Sequence, residues 1–160
     1  MLNLVDRLLK QKPIADERIR YVKQRDDSDC GRACLCMMGY DGYQMFSRSG
    51  GIRVDKVAKK FGYTKNQISL IELNNNTFFE EPHFLTVSTM RAEQWGFLAV
   101  LHAVIGYKDQ IYCPSLGIFK ISEYTKYIWG RTIAGFPVPF AYESNLNLPR
   151  LTPCNSQRVL

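Results

Sequence analysis

The sequence predicts an α+β fold. Helical patterning and capping signals gather in the first half of the chain, and β-branched and aromatic residues gather in the second. Helices that come before strands, rather than alternating with them, point to an antiparallel sheet with helices on one side. The 160 residues are enough for one real hydrophobic core, which nine Tyr and nine Phe help to fill.

Leu2, Leu4, Val5, Leu8 and Leu9 share one side of a short amphipathic helix over residues 2–10, ended by Pro13. Residues 19–23 read as a short extended segment before a polar stretch, 24–29. Ser28 or Asp29 is placed to cap a helix over residues 30–38. A second helix, 54–61, should stop at Gly62, and a third is expected over 66–73, before Asn74, Asn75 and Asn76. Strands are expected over 84–88, 97–107, 110–112 and 118–119, with Lys108-Asp109 as a hairpin turn. A helix over 122–128 capped by Ser122 follows, then a strand over 132–136. The prolines from Pro137 onward give an extended tail. The organisation expected is an N-terminal helical extension (1–19), a main domain (20–136) and a tail (137–160).

The net charge of +6 favours acidic partners in general. Much of it is scattered through Arg7, Lys10, Lys12, Arg18, Arg20, Lys23 and Arg25, and reads as solvated surface. No apolar run has the length to cross a bilayer and no signal-peptide pattern follows Met1, so a cytoplasmic location is expected. Five cysteines (Cys30, Cys34, Cys36, Cys113 and Cys154) are odd in number and clustered, which argues for reduced thiols rather than a disulfide framework.

A nucleophilic thiol must ionise near neutral pH, and the free N–H groups of a helix N-terminus favour the anion. Cys30 stands where such a helix begins, with Gly31 beside it leaving room for a substrate backbone. Cys34 and Cys36 fall inside the helix as buried, inert thiols. The base must be a histidine, and there are two. His83 follows Pro82 at a strand entrance and suits a structural role. His102 lies in the most strand-like run, residues 99–105, where a lone His is more often a core residue than a catalyst.

Other residues add to these. Gln24-Arg25-Asp26-Asp27-Ser28-Asp29-Cys30-Gly31-Arg32-Ala33-Cys34-Leu35-Cys36-Met37 resembles the signature of the C39 bacteriocin-processing cysteine peptidases, a Gln some residues before Asp-Cys-Gly-x-Ala-x-Leu-x-Met. Downstream, 57–63, 81–87, 102–107, Tyr112-Cys113-Pro114-Ser115-Leu116-Gly117 and 121–130 resemble further family segments in the same order, so the likeness spans roughly residues 20–136. The resemblance implies a papain-like fold, with the Cys at a helix N-terminus packed on an antiparallel sheet carrying the His. It assigns Cys30 as nucleophile, His102 as base and Gln24 as an oxyanion donor, with no metal or organic cofactor. It also implies a peptide substrate cleaved after a Gly-Gly leader pair, with a separate transporter as partner.

One position departs from the family. Cys113 stands where the family has the Asp that accepts the His N–H bond, and a neutral thiol does that poorly. Three readings follow: a weaker Cys–His dyad, an acceptor borrowed from elsewhere, with Asp109 and Ser115 nearby in sequence, or a domain that binds peptide without cleaving it. The rival from another class is a helix-turn-helix over residues 54–73. Thr64 would cap a recognition helix bearing Lys65, Asn66, Gln67 and Ser69, and nucleic acid would be the partner. A zinc site is the weakest reading, because Cys-x3-Cys-x-Cys is not a usual ligand spacing.

Overall fold

The structure, a computed structural model, describes residues 18–88, 101–128 and 132–151. The helix expected over residues 2–10, the first part of the 97–107 strand and Cys154 lie outside the described residues. Three helices come first: α1 (Cys30–Met37), α2 (Gly42–Met45) and α3 (Val54–Lys60). Strands β1 (Ser69–Glu72), β2 (Phe79–Ser88), β3 (Leu101–Lys108), β4 (Gln110–Cys113) and β5 (Gly117–Lys120) follow, then α4 (Ile121–Tyr124) and β6 (Thr132–Pro137). The six strands form one antiparallel sheet in the order β1-β6-β2-β3-β4-β5. The α+β class expected from the sequence therefore holds.

Strand alternation sends side chains to two cores. Ala103, Ile105 and Tyr107 of β3 and Tyr112 of β4 face the helices, where they meet Leu35 and Met38 at the end of α1, Val57 and Ala58 of α3, and Phe136 of β6. Val104 of β3 and Ile111 and Cys113 of β4 face the other way, into a cluster with Leu85, Ile121, Tyr124 and Ile133. The β3–β4 hairpin turns through Lys108 and Asp109 as expected, and Lys108 takes the left-handed φ of 55° that the tight turn requires.

α1 begins where the sequence places it, but neither Ser28 nor Asp29 caps it with a side chain. The Ser28 hydroxyl and N–H both donate to Asp26 Oδ1, at 2.7 and 2.8 Å. The Asp29 carboxylate accepts from Tyr43 Oη at 2.9 Å and lies 3.6 Å from Arg32. Stronger partners thus outbid the local cap. α3 stops at Gly62, whose φ of +82° is the left-handed conformation that glycine adopts freely.

The third helix expected over residues 66–73 is not formed. A single 3-10 turn, Lys65–Gln67, leads into β1, and Ser69–Glu72 pairs in register with Gly135 back to Thr132 of β6. Ladder hydrogen bonds to β6, together with burial of Leu73 beside β1, override a helical propensity that is weak over so few residues. The recognition helix needed by the helix-turn-helix reading is therefore absent. The helix expected over 122–128 is the single turn α4, entered from Lys120 rather than capped by Ser122. Of the expected tail, the described part, residues 138–151, is not a loose extension: Val138, Phe140 and Ala141 pack into the helix-side core, and Ala141–Glu143 forms a 3-10 turn. Among the described residues, no helix is long and apolar enough to cross a membrane.

Candidate active site

The cysteine, the histidine and the Cys113 position singled out in the sequence meet at one end of β3. Pairing of β3 with β4 runs from Tyr107–Gln110 to Ile105–Tyr112 and stops short of His102. α1 packs against β3 at this end. Cys30 Sγ accepts a hydrogen bond from the Ala103 main-chain N–H at 3.4 Å. A strand donor is thus directed at the thiol, and the next residue back along β3 is His102.

The Nε2 edge of the His102 ring meets Cys113 and Ser115. His102 Nε2 lies 3.3 Å from Cys113 Sγ and 3.3 Å from Ser115 Oγ, and these two atoms are 3.3 Å from each other. Tyr124 of α4 is buried in the same cluster as Cys113. The backbone at Cys113 is fixed by Tyr21, whose hydroxyl donates to the Cys113 carbonyl at 2.7 Å, and by the β4–β5 pairing of Cys113 with Gly117. Cys113 is fully buried, His102 is 8% exposed, and Cys30 is only partly buried. Exposure therefore separates the two thiols: an incoming molecule can reach Cys30 but not Cys113.

Their ionisation follows from these contacts. Burial pushes the Cys30 thiol up, but hydrogen bonds from His102, from the Ala103 N–H and from the Gly31 N–H bring it below its ordinary value. Burial likewise opposes an imidazolium at His102, yet its bonds and charge interactions with Cys113 and Cys30 raise it to about 9. Cys113 is also opposed by burial, and bonds to His102, Ser115 and Tyr124 lower it to about 6. Cys34 is pushed well up, first by burial and then by the nearby Cys30 and Cys113 sulfurs, and Cys36 is raised by burial. These two are the inert thiols the sequence leads one to expect.

The remaining expectations divide. Gln24 docks its main-chain N–H on the Pro114 carbonyl at 3.0 Å, which brings it beside the Cys113 segment. Its Nε2 donates to the Asp26 carbonyl at 2.9 Å, and its Oε1 is buried without a hydrogen-bond partner. One amide proton is thus engaged in the local turn, and the second remains for another acceptor. Gly31 does not open onto a cleft: a Cβ there would point at Ile52 and Phe84, 3.4 and 3.7 Å away. Asp109 sits in the β3–β4 turn, at the opposite end of β3 from His102. His83 bonds to the Glu81 carbonyl at 2.8 Å and packs on Phe79, a structural setting.

Ser115 was one of two nearby residues in the sequence, and the structure selects it. Tyr124 had no sequence signal, because only the fold of β5 and α4 brings it back to Cys113. Among the described residues, no group of three or more His, Cys, Asp or Glu side chains is arranged to hold a metal ion. No protein-family model matches the chain, and neither does any curated protein.

Proposed function

We propose that this chain is a papain-like cysteine peptidase of the C39 type, with Cys30 as nucleophile and His102 as acid–base. The observation that carries the reading is a partly exposed thiol at the start of α1, lowered below its ordinary value by the histidine bonded to it. With Nε2 committed to Cys113 and Ser115, Nδ1 is the nitrogen that exchanges a proton with Cys30.

The Cys30 thiolate attacks a peptide carbonyl, forming a C–S bond and placing the electron pair on oxygen. The main-chain N–H of Cys30, in the first turn of α1 where helix donors lack intrahelical acceptors, and the Gln24 amide stabilise that oxyanion. The imidazolium then protonates the leaving amine as the C–N bond breaks. Water attacks the thioester with His102 taking its proton, and collapse releases the acid and restores the thiolate. The Gln24 side chain keeps one amide proton free of the local turn, since only one is engaged with the Asp26 carbonyl.

The likeness of residues 24–37 to the C39 signature supports a leader peptide with a Gly-Gly pair as substrate and a separate transporter as partner. Iodoacetamide labelling of each cysteine across pH, in wild type and His102→Ala, tests the chemistry. The expected result is fast labelling of Cys30 near pH 6, lost in the variant. If Cys30 labels no faster than an ordinary thiol in both, the reading falls. Reactive Cys30 without turnover of Gly-Gly peptides leaves the site chemistry and removes the assigned substrate.

A further inference from the structure

We propose that Cys113 works as a buried thiolate, the anion that orients and charges His102 in place of a carboxylate, held by the hydroxyl of Ser115. Its place as the third member of a triad rests on the peptidase reading; the His102–Cys113 ion pair does not.

The argument is geometric. A neutral thiol is a weak acceptor and needs few partners, so convergence of donors on one buried sulfur is the environment of an anion. Two polar groups lie at hydrogen-bond distance from Cys113 Sγ, His102 Nε2 and Ser115 Oγ, each at 3.3 Å, and the buried Tyr124 packs in the same cluster. Tyr124 is itself buried, and burial holds it protonated, so it adds no competing negative charge beside the sulfur. The other ionisable groups facing this sulfur are Tyr21 from the segment before α1 and Cys34 from α1, both raised by burial and so neutral, and Cys30 across the ring. His102 is then the one cation the sulfur meets among these groups, and the sulfur supplies the charge that the Asp-to-Cys departure removes. Ser115 Oγ touches both partners, so it fixes the ring edge and the sulfur together.

The test is an NMR titration of the His102 ring in the full chain, as wild type, Cys113→Ser, Cys113→Asp and Ser115→Ala, with far-UV circular dichroism as the folding control. The two histidine signals are told apart by His102→Ala. In wild type the midpoint lies near 9. Removing an opposite charge at contact distance lowers such a midpoint by about 1–3 units, so Cys113→Ser should fall by that much while Cys113→Asp stays high. Ser115→Ala should fall by less. A Cys113→Ser midpoint equal to wild type overturns the proposal, since serine keeps a neutral hydrogen bond and loses only the charge; that arm decides even if the Asp variant does not fold. Slow labelling of Cys30 in wild type would remove the peptidase reading while leaving this midpoint comparison intact.

Discussion

At the scale of single residues, the site is two sulfurs competing for one imidazole, and each group is charged over a definable range. His102 is raised to about 9, so its proton persists through neutrality and is lost as pH climbs past that value. Cys113 is lowered to about 6, so it is an anion above that value and is neutralised below it. The His102–Cys113 ion pair, with both charges present, therefore spans about pH 6 to about 9. On the proposed mechanism, kcat/KM for peptide turnover should fall above about pH 9, because the leaving amine then lacks its proton donor. Alkylation of Cys30 needs only the thiolate and should not fall there. Turnover that keeps rising beyond pH 9 would exclude His102 as the acid. Cys30 and His102 were legible in the sequence because a helix start marks one and only two histidines compete for the other. The state of Cys113 was not, since a thiol's charge depends on neighbours such as Tyr124 that lie on other elements.

At the scale of elements, the position of Cys30 depends on how α1 is held at its first two turns. Arg32 on α1 is buried and donates to the carbonyls of Phe46 and Gly50, each at 2.8 Å, and to that of Arg48, tying α1 to the loop after α2. α2 can lie this close only because Gly42 has no side chain: a Cβ there would stand 2.4 Å from the Arg32 carbonyl oxygen and 2.9 Å from its Cα. Backbone cannot yield as a flexible side chain can. Gly42→Ala should therefore destabilise the protein by about 1–3 kcal/mol, as overpacking does. Gly51→Ala, where a Cβ meets nothing within 4 Å, should stay within about 0.5 kcal/mol of wild type. Urea unfolding of the two variants checks the contrast, and equal midpoints would show that α1 and α2 do not need this approach. Residues 54–62 and the β3–β4 hairpin were readable from local signals, namely a terminal glycine and two flanking β-branched runs. β1 was not, because its strand state is conferred by β6, more than sixty residues away in the chain.

At the scale of the whole molecule, the sheet separates two cores and the chain closes the helix-side one late. After β6 the Val138 N–H still donates to the Pro82 carbonyl of β2 at 2.8 Å, and the backbone then reaches the end of α1, where the Ala141 N–H donates to the Met38 carbonyl at 3.0 Å. Tyr40, just beyond α1, reaches the Pro139 carbonyl through its hydroxyl at 2.6 Å and forms a β-bridge with Arg150. Arg150 in turn donates to the carbonyls of Ala141, Ser144 and Leu146, pinning the turn that carries Ala141. Val138 and Phe140 are buried to 0% and 2% exposure, and Phe140 also packs edge-on against Tyr107 of β3. Fully burying a side chain of this kind contributes about 1.5–3 kcal/mol, so the two supply about 3–6 kcal/mol before Ala141, Tyr40 and the hydrogen bonds are included. A domain's net stability is only about 5–15 kcal/mol. A chain ending at Pro137 should accordingly lose cooperative thermal unfolding or melt far below the full chain, and its near-UV circular dichroism should flatten as the aromatic cluster opens. A truncated chain that melts like the intact one would mean that the α1–β3 contact holding Cys30 beside His102 stands without this closing segment. Conversely, loss of both the melt and fast Cys30 labelling would tie the reactivity of that thiol to the completion of the core behind it.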